Sequence, residues 1–370
     1  MSLHELSPEQ REIRDLARRV AEERVAPHAA AWDREHTFPR ELFGELGALG
    51  LMGVCVPEEH GGAGADFLSY VLVLEELSRA DAGVGVTVAV HTSACALPLL
   101  AHGGERWVPA LAAGEEIGAF ALTEPGSGSD AGAMRSRAVD GRITGTKQWI
   151  TNGSYASTFL VFARDDGERV SAYVVRAGAE GLAVTREAEK LGLHSSSTAD
   201  LTFENTPGER LGPPGGGMRI ALGTLDGGRI GIAAQAVGIA QAALDLAAGY
   251  AKERSAFGGP IARFQAIQQK LADMQTEIEA ARALTWRAAR LKQAGLPHTV
   301  EGAQAKLFAS RVARHWTGEA IQVLGGYGYT REFPAERYYR DAKVTEIYEG
   351  TSEIQRLVIA RALLGEAMRP

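Results

Sequence analysis

The chain has 370 residues, 45% hydrophobic and 23% charged, ordinary globular material for two or three packed units. Its formal net charge of −7 is made of interspersed acids and bases, and without a basic stripe to neutralise a row of phosphates a nucleic-acid partner is not expected. Cys55 and Cys95 lie among apolar neighbours and read as buried thiols of a reducing compartment, and the nine histidines fall into no zinc-ligand spacing, so no metal site is expected.

Met1 to Arg24 mixes acids, bases and apolar residues at helical spacing, unlike a signal peptide. No stretch is read as the roughly 20 apolar residues of a membrane span, and a cytoplasmic protein is expected. From Pro8 to Asp33 apolar residues recur at steps of three and four, with Ser7 as the N-cap. The same period predicts helices over Pro39–Leu49, Phe67–Ala80 and Gly83–Leu100, so residues 1–115 form a helical domain. After Gly114 the texture becomes short β-rich runs: Ile117–Leu122, Ile143–Thr151, Phe159–Ala163, Ala172–Val175 and Ala199–Phe203. These predict an antiparallel, barrel-like β domain over 116–216. From Met218 the helical period returns, with Ile267, Leu271, Met274, Ile278, Ala281 and Leu284 on one face, and predicts a four-helix bundle over 217–370. The fold class is α+β, mostly α. The order helices, strands, helices also disfavours a dinucleotide site at Gly126–Ala131, because its G-x-G-x-x-A fingerprint needs a strand before it and a helix opening on it.

Five segments carry more than fold-forming residues. Phe120–Asp130 is a strand that stops at Pro125 and enters a glycine and serine loop; it can let a ligand approach the backbone or serve as a turn. Lys147–Gly153 holds Trp149, an indole able to stack on a flat ring or to fill a core. Arg254–Gly258 with Phe264 and Gln265 suits a pyrophosphate and an aromatic base, while an arginine at a helix C-terminus also balances the dipole. Gln322–Tyr329 ends a helix on paired glycines, of which a C-cap explains one. In Thr345–Arg356, Ser352 and Gln355 make a capping-box pattern, and Glu349 stands in the turn before that helix, where the amide dipoles favour its anion or where it merely stabilises the helix end.

In this order and spacing the five segments resemble the acyl-CoA dehydrogenase family, from Ser7 to about Leu364. Thr224–Ala233 and Thr345–Glu353 are most similar to its short-chain, butyryl-CoA branch. The resemblance implies an N-terminal helical domain, a middle β domain and a C-terminal four-helix bundle, with FAD between the last two. It implies that Phe120, Leu122, Thr123, Gly128, Ser129, Trp149, Ile150 and Thr151 line the flavin, with Ser129 also reaching the acyl-CoA. Arg254, Phe257, Phe264, Gln265, Gln322, Val323, Gly325 and Gly326 would contact the FAD of a neighbouring subunit in a homotetramer built as a dimer of dimers. Thr351, Ser352 and Glu353 would return to the first subunit's cofactor, and Asp226, Arg229 and Gly350 would lie on the substrate side.

The chemistry implied is α,β-dehydrogenation of a saturated acyl-CoA to a trans-2-enoyl-CoA, as in fatty acid β-oxidation. Glu349 takes the pro-R α-proton, the β-hydride goes to flavin N5, and electrons pass on to electron-transfer flavoprotein. The enolate-like carbonyl oxygen would be held by the backbone N–H of the base and a ribityl hydroxyl, an oxyanion-hole arrangement. In a few relatives the base stands instead just before the arginine of an Asp-x-x-Arg segment; that position is Gly228 here, which favours Glu349. The chain's length argues against the longer oxidases of the same fold. A branched-chain dehydrogenase and a flavin-bearing relative without dehydrogenase activity are the alternatives.

Overall fold

Ser7 begins the first helix because its hydroxyl accepts from the Gln10 N–H (3.1 Å) while Gln10 Oε1 accepts from the Ser7 N–H (2.9 Å), with Pro8 in the first turn. The structure, a computed structural model, describes residues 5–166 and 168–368. Helix α1 (Pro8–Val20) runs through a π turn, Ala21–Val25, into α2 (Ala26–Glu35). There follow α3 (Arg40–Ala48), α4 (Phe67–Ala80), α5 (Ala82–Ala89), a second π turn at Val90–Ala96, α6 (Leu97–Ala101) and α7 (Val108–Ala112).

The middle region has β1 (Gly118–Ala121), β2 (Arg137–Val139), β3 (Arg142–Thr151), β4 (Thr158–Arg164), β5 (Val170–Arg176), β6 (Leu182–Glu187), β7 (Thr198–Pro207) and β8 (Glu209–Leu211). They pair in the order β6-β7-β3-β2-β4-β5-β8, with β1 added beside β4. The expected antiparallel sheet is in fact mixed, because β1 and β2 both run parallel to β4. Strand β4 is buried on both faces, and its alternation divides two cores. Leu160 and Phe162 face the N-terminal helices, whereas Phe159, Val161 and Ala163 face the inside of the sheet domain.

The chain then forms α8 (Gly217–Glu253), a small hairpin of β9 (Ser255–Ala256) and β10 (Gly259–Pro260), α9 (Gln265–Gln293), α10 (Thr299–Leu324), α11 (Ala335–Val344) and α12 (Ser352–Leu364). Helices α8, α9 and α10 pack on one another, α4 crosses α8 and α9, and α11 and α12 lie on α10. Of the face predicted on α9, Met274, Ile278 and Ala281 are fully buried and Ile267, Leu271 and Leu284 only partly, and Thr285, Ala288 and Ala289 extend the buried stripe. One hydrophobic cluster joins the N-terminal helices to the bundle, from Leu68 and Leu74 to Ile230, Ala309 and Val312.

The expectation about membrane-length segments needs correction. Ala82–Ala101 and Gly217–Glu253 are long and apolar enough to span a bilayer, but 83% of each apolar window is buried inside the protein. Cys55 and Cys95 are both free thiols, pushed up to about 12 by burial.

A charged junction locks the three regions together. Arg340 on α11 and His194, in the segment between β6 and β7, both bind Asp33 of α2, at 2.6 and 2.9 Å. Burial opposes the ionised form of Asp33, but these hydrogen bonds hold the carboxyl well below its usual range.

Candidate active site

The turn between α11 and α12 is unusual before any chemistry is considered. Glu349 and Gly350 are both left-handed, with φ of +53° and +87°. Such a conformation is uncommon for a glutamate and persists only when its surroundings fix it. Here Gln355 Nε2 donates to the Glu349 carbonyl (3.2 Å) and the Gly350 carbonyl (2.7 Å), and Lys306 Nζ donates to the Gly350 carbonyl at 2.5 Å. A side chain at 350 would meet Gln355 Nε2 at 2.8 Å, so glycine is required there on two counts. The expected capping box is corrected by this geometry. Thr351, not Ser352, is the N-cap, its hydroxyl accepting from the Ile354 N–H at 3.4 Å, and Gln355 is spent on holding the preceding turn.

The Glu349 carboxylate is directed at α8. A methyl group at position 228 would lie 2.9 Å from Glu349 Cδ and overlap Oε2, so Gly228 makes the space that the carboxylate occupies. Position 228, the alternative seat for a base, thus converges on the same point in space. Part of Glu349 reaches the surface, but Oε2 is sealed from solvent and has no partner among the described residues. Desolvation therefore dominates: it pushes the carboxyl up to about 7, against the pull of Lys306 and Arg229. Arg229 is already engaged, its Nη1 donating to Asp226 Oδ1 at 2.6 Å, and Asp226 Oδ2 accepts from Thr299 Oγ1 at 2.6 Å. Asp226 and Arg229 thus form the i, i+3 pair whose cation lies next to the Glu349 carboxylate. Beyond it, Tyr70 is wholly buried, donates to the Ala89 carbonyl at 3.1 Å, and stands 3.2 Å from where a side chain at Gly231 would begin.

Lys306, fully buried, was not singled out by sequence reasoning. Its signal was present: it lies on the same α10 face as Ala303, Ala309, Ser310 and Ala313, where a lysine is out of place.

The β-domain segments form a second region. Glu124 is buried and saturated, with Oε1 accepting from Lys147 Nζ (2.7 Å) and the Ser136 N–H (3.0 Å), and Oε2 from the Arg135 N–H (2.6 Å). This pins the loop that carries Gly126, Gly128 and Ser129, where both glycines face open space and Ser129 is exposed. A single 3-10 turn, Ala131–Ala133, follows and leads to β2, so no helix opens on the fingerprint. Between Lys147 and Ile150 the β3–β7 register shifts, and Trp149, with φ of +61°, is turned out and 52% exposed. Arg186 lies over its ring at 4.8 Å. Phe120 and Thr123 are partly buried and Thr151 is half-buried nearby on β3. Leu122 and Ile150 turn their side chains into the cores, so they can offer a ligand only backbone.

A third group lies at the other end of α8. Arg254 follows that helix, 26 residues past Gly228, or about 39 Å along the axis. It cannot meet the same small group as Glu349 within one chain. Its guanidinium faces the Tyr327 ring at 5.9 Å, and both line an open cleft with Tyr250, Glu253 and Phe333. Phe257 is 90% exposed and meets Phe264 edge-on, while Gln265, Gln322, Gly325 and Gly326 are also exposed. Val323 is buried in the bundle core and contributes no side chain. Thr351 and Ser352 follow the Glu349–Gly350 turn and are half-buried, and Glu353 is exposed.

These three groups suit an extended ligand with flat and anionic parts: an exposed indole, open glycine loops, an arginine at an open cleft, and buried polar atoms at Glu349 Oε2, Arg229 Nε and Gln355 Oε1 that have no partner among the described residues. The residues present therefore fit FAD and a thioester substrate.

Comparison with known proteins agrees with this geometry. Models for the N-terminal, middle and C-terminal domains of acyl-CoA dehydrogenase match residues 7–115, 119–206 and 215–364. The mitochondrial short-chain specific acyl-CoA dehydrogenase of Bos taurus is 51% identical over 367 residues, covering 95% of this chain and 89% of that protein. The short-chain specific acyl-CoA dehydrogenase of Clostridium acetobutylicum is 47% identical over 370 residues, covering 96% and 98%. The solved structure of butyryl-CoA dehydrogenase from Megasphaera elsdenii has a TM-score of 0.96 at 42% identity, covering 98% of this chain and 100% of that one. With the three domain models in sequence along it and these full-length likenesses, the chain belongs to the acyl-CoA dehydrogenase family.

Proposed function

We propose that this protein is an FAD-dependent dehydrogenase of short saturated acyl-CoA thioesters, with Glu349 as the base that removes the α-proton. The observation that carries this reading is the Glu349 carboxylate: partnerless at Oε2, buried against Gly228, and raised to about 7. A solvated carboxylate is too weak a base for a carbon acid, whereas one near 7 is matched to neutral pH. The α-carbon of a bound thioester would sit at Oε2, and its proton would move to that oxygen. Among the described residues no oxygen accepts from the Glu349 N–H, which leaves this donor for the thioester carbonyl oxygen as enolate character develops. FAD, when bound, supplies the acceptor for the hydride that leaves the β-carbon.

Tyr70 supports a short acyl group. Gly231 lies one turn along α8 from Gly228, on the same face, and there the space beside the base meets a phenol fixed by its own hydrogen bond. Relatives named as short-chain specific point the same way. The distance between Arg254 and the base, together with the exposure of Phe257, supports a homotetramer in which these residues reach a neighbour's FAD. Family membership supports electron-transfer flavoprotein as the acceptor, and likeness to bacterial relatives such as that of Clostridium acetobutylicum supports a cytoplasmic setting, although the Bos taurus relative is mitochondrial.

Anaerobic addition of butyryl-, octanoyl- and isobutyryl-CoA to the purified holoprotein tests the reading. Butyryl-CoA is expected to bleach the flavin fastest, with formation of the trans-2-enoyl product. Faster bleaching by octanoyl- or isobutyryl-CoA would overturn the substrate assignment, and none with any of the three would overturn the activity.

A further inference from the structure

Around the base the charges are unevenly compensated. On α8, Arg229 is bound to Asp226. On α10, Lys306 has no surface exposure, and among the described residues no carboxylate lies within ion-pair distance; its Nζ meets the Gly350 carbonyl at 2.5 Å. A buried ammonium held by a carbonyl dipole feels the surrounding carboxylates strongly, and for Lys306 the largest such attraction is to Glu349, ahead of Glu346 and Glu353. The remaining ionisable groups beside Glu349 are Tyr348, whose hydroxyl donates to Gln235, and Tyr70. Both are neutral phenols with hydrogen-bond partners of their own. Lys306 is therefore a cation beside Glu349 that, among the described residues, has no carboxylate within ion-pair distance, and it is tied to the backbone of the residue next to the base.

We infer that Lys306 is a positioning residue for the reaction: its ammonium, anchored on the Gly350 carbonyl, holds the left-handed Glu349–Gly350 turn with the carboxylate facing Gly228 and sets the proton affinity of that carboxylate. This rests on the assignment of Glu349 as the base. Burial lowers Lys306 to about 8 and raises Glu349 to about 7, and the attraction between the two charges works against both shifts. Gln355 shares the mechanical part by donating to the same carbonyl, but as a neutral amide it cannot supply the charge.

The test compares wild type with Lys306→Met and Lys306→Gln as FAD-loaded enzymes, recording flavin content, kcat and KM for butyryl-CoA from pH 5.5 to 9. With the cation removed, the acid limb of kcat/KM is expected to move up by about one pH unit in both variants. In Lys306→Met, which also loses the hydrogen bond, kcat on the plateau should fall about tenfold, with KM within about threefold and flavin content unchanged. Lys306→Gln, which can still donate to Gly350, should recover part of that kcat without recovering the pH shift. An unchanged acid limb in both variants would overturn the inference. Should neither variant fold, the wild-type enzyme decides through the bound substrate analogue acetoacetyl-CoA: Lys306 should titrate near 8 by amine-selective nitrogen NMR and fall when Glu349→Gln removes its counter-charge, and an unmoved value would overturn it. Near wild-type turnover in Glu349→Gln would instead overturn the base assignment itself, which separates the two failures.

Discussion

Two glutamates with desolvated carboxylates show what this fold does with the same side chain. Glu124, in the loop after β1, accepts from Lys147 and from the N–H groups of Arg135 and Ser136. Burial opposes its charge, yet Lys147 and these hydrogen bonds hold it below the usual carboxylate range. Glu349 is only partly covered as a residue, but its Oε2 is sealed from solvent without a partner among the described residues, and its carboxyl rises to about 7. One glutamate has its hydrogen-bonding capacity used up and serves as a lock. The other is left incomplete by its own fold and is thereby free to take a proton. Desolvation is common to both, and the local supply of donors decides the outcome.

Exchanging each for its amide should separate the roles. Glu349→Gln is expected to lose on the order of 10⁴-fold in turnover while keeping FAD and the fold, measured by steady-state assay and flavin content. Glu124→Gln is expected to do the reverse. It leaves the buried Lys147 ammonium uncompensated, so stability should fall by about 3 kcal/mol in urea melts, with turnover per folded holoenzyme largely kept. Turnover loss as severe in Glu124→Gln as in Glu349→Gln would break the distinction.

Gly228→Ala probes the space beside the base. The added methyl overlaps Glu349 Oε2, so kcat should drop about 10- to 100-fold through misplacement of the carboxylate, while the melting temperature changes little because alanine favours helix. Smaller again is the effect of pH on the wild type. The base must be ionised, and burial delays its ionisation, so kcat/KM should climb as pH rises through about 7. The stability contribution has the opposite sense. The folded carboxyl holds its proton more tightly than the ordinary value of 4.5 allows, so its contribution is full below pH 4.5 and lost as pH rises through about 7. Glu349→Gln should flatten that part of the stability profile.

Much of this was legible in the sequence because it rests on local chemistry. Helix α4 starts at Phe67 and ends at Ala80 as its pattern predicts, since the Asp66 carboxylate caps it and its apolar period is unbroken. Ser7 caps as expected for the same kind of reason. The π turns at Ala21–Val25 and Val90–Ala96 leave the apolar pattern intact and give no such signal. Strand β6 escaped because it is an exposed edge, with Ala183 to Glu187 all facing solvent and no alternation to detect. At the site, the motif singles out Glu349 as the proposed base, but its ionisation is not written there. That depends on Gly228 being 121 positions away in sequence and in contact in space, and on a lysine from a third helix. The placement of the N-cap one residue early, at Thr351, has the same origin: two adjacent hydroxyl residues can both cap, and the contact of Gln355 with the preceding turn decides between them.

The most direct test of the central claim is single-turnover anaerobic mixing of butyryl-CoA with the wild-type and Glu349→Gln holoenzymes, side by side, following the colour of the flavin and the binding of the thioester. The account predicts rapid bleaching in the wild type and a variant that binds both FAD and butyryl-CoA yet stays coloured. Bleaching of the variant at a rate close to wild type would contradict it.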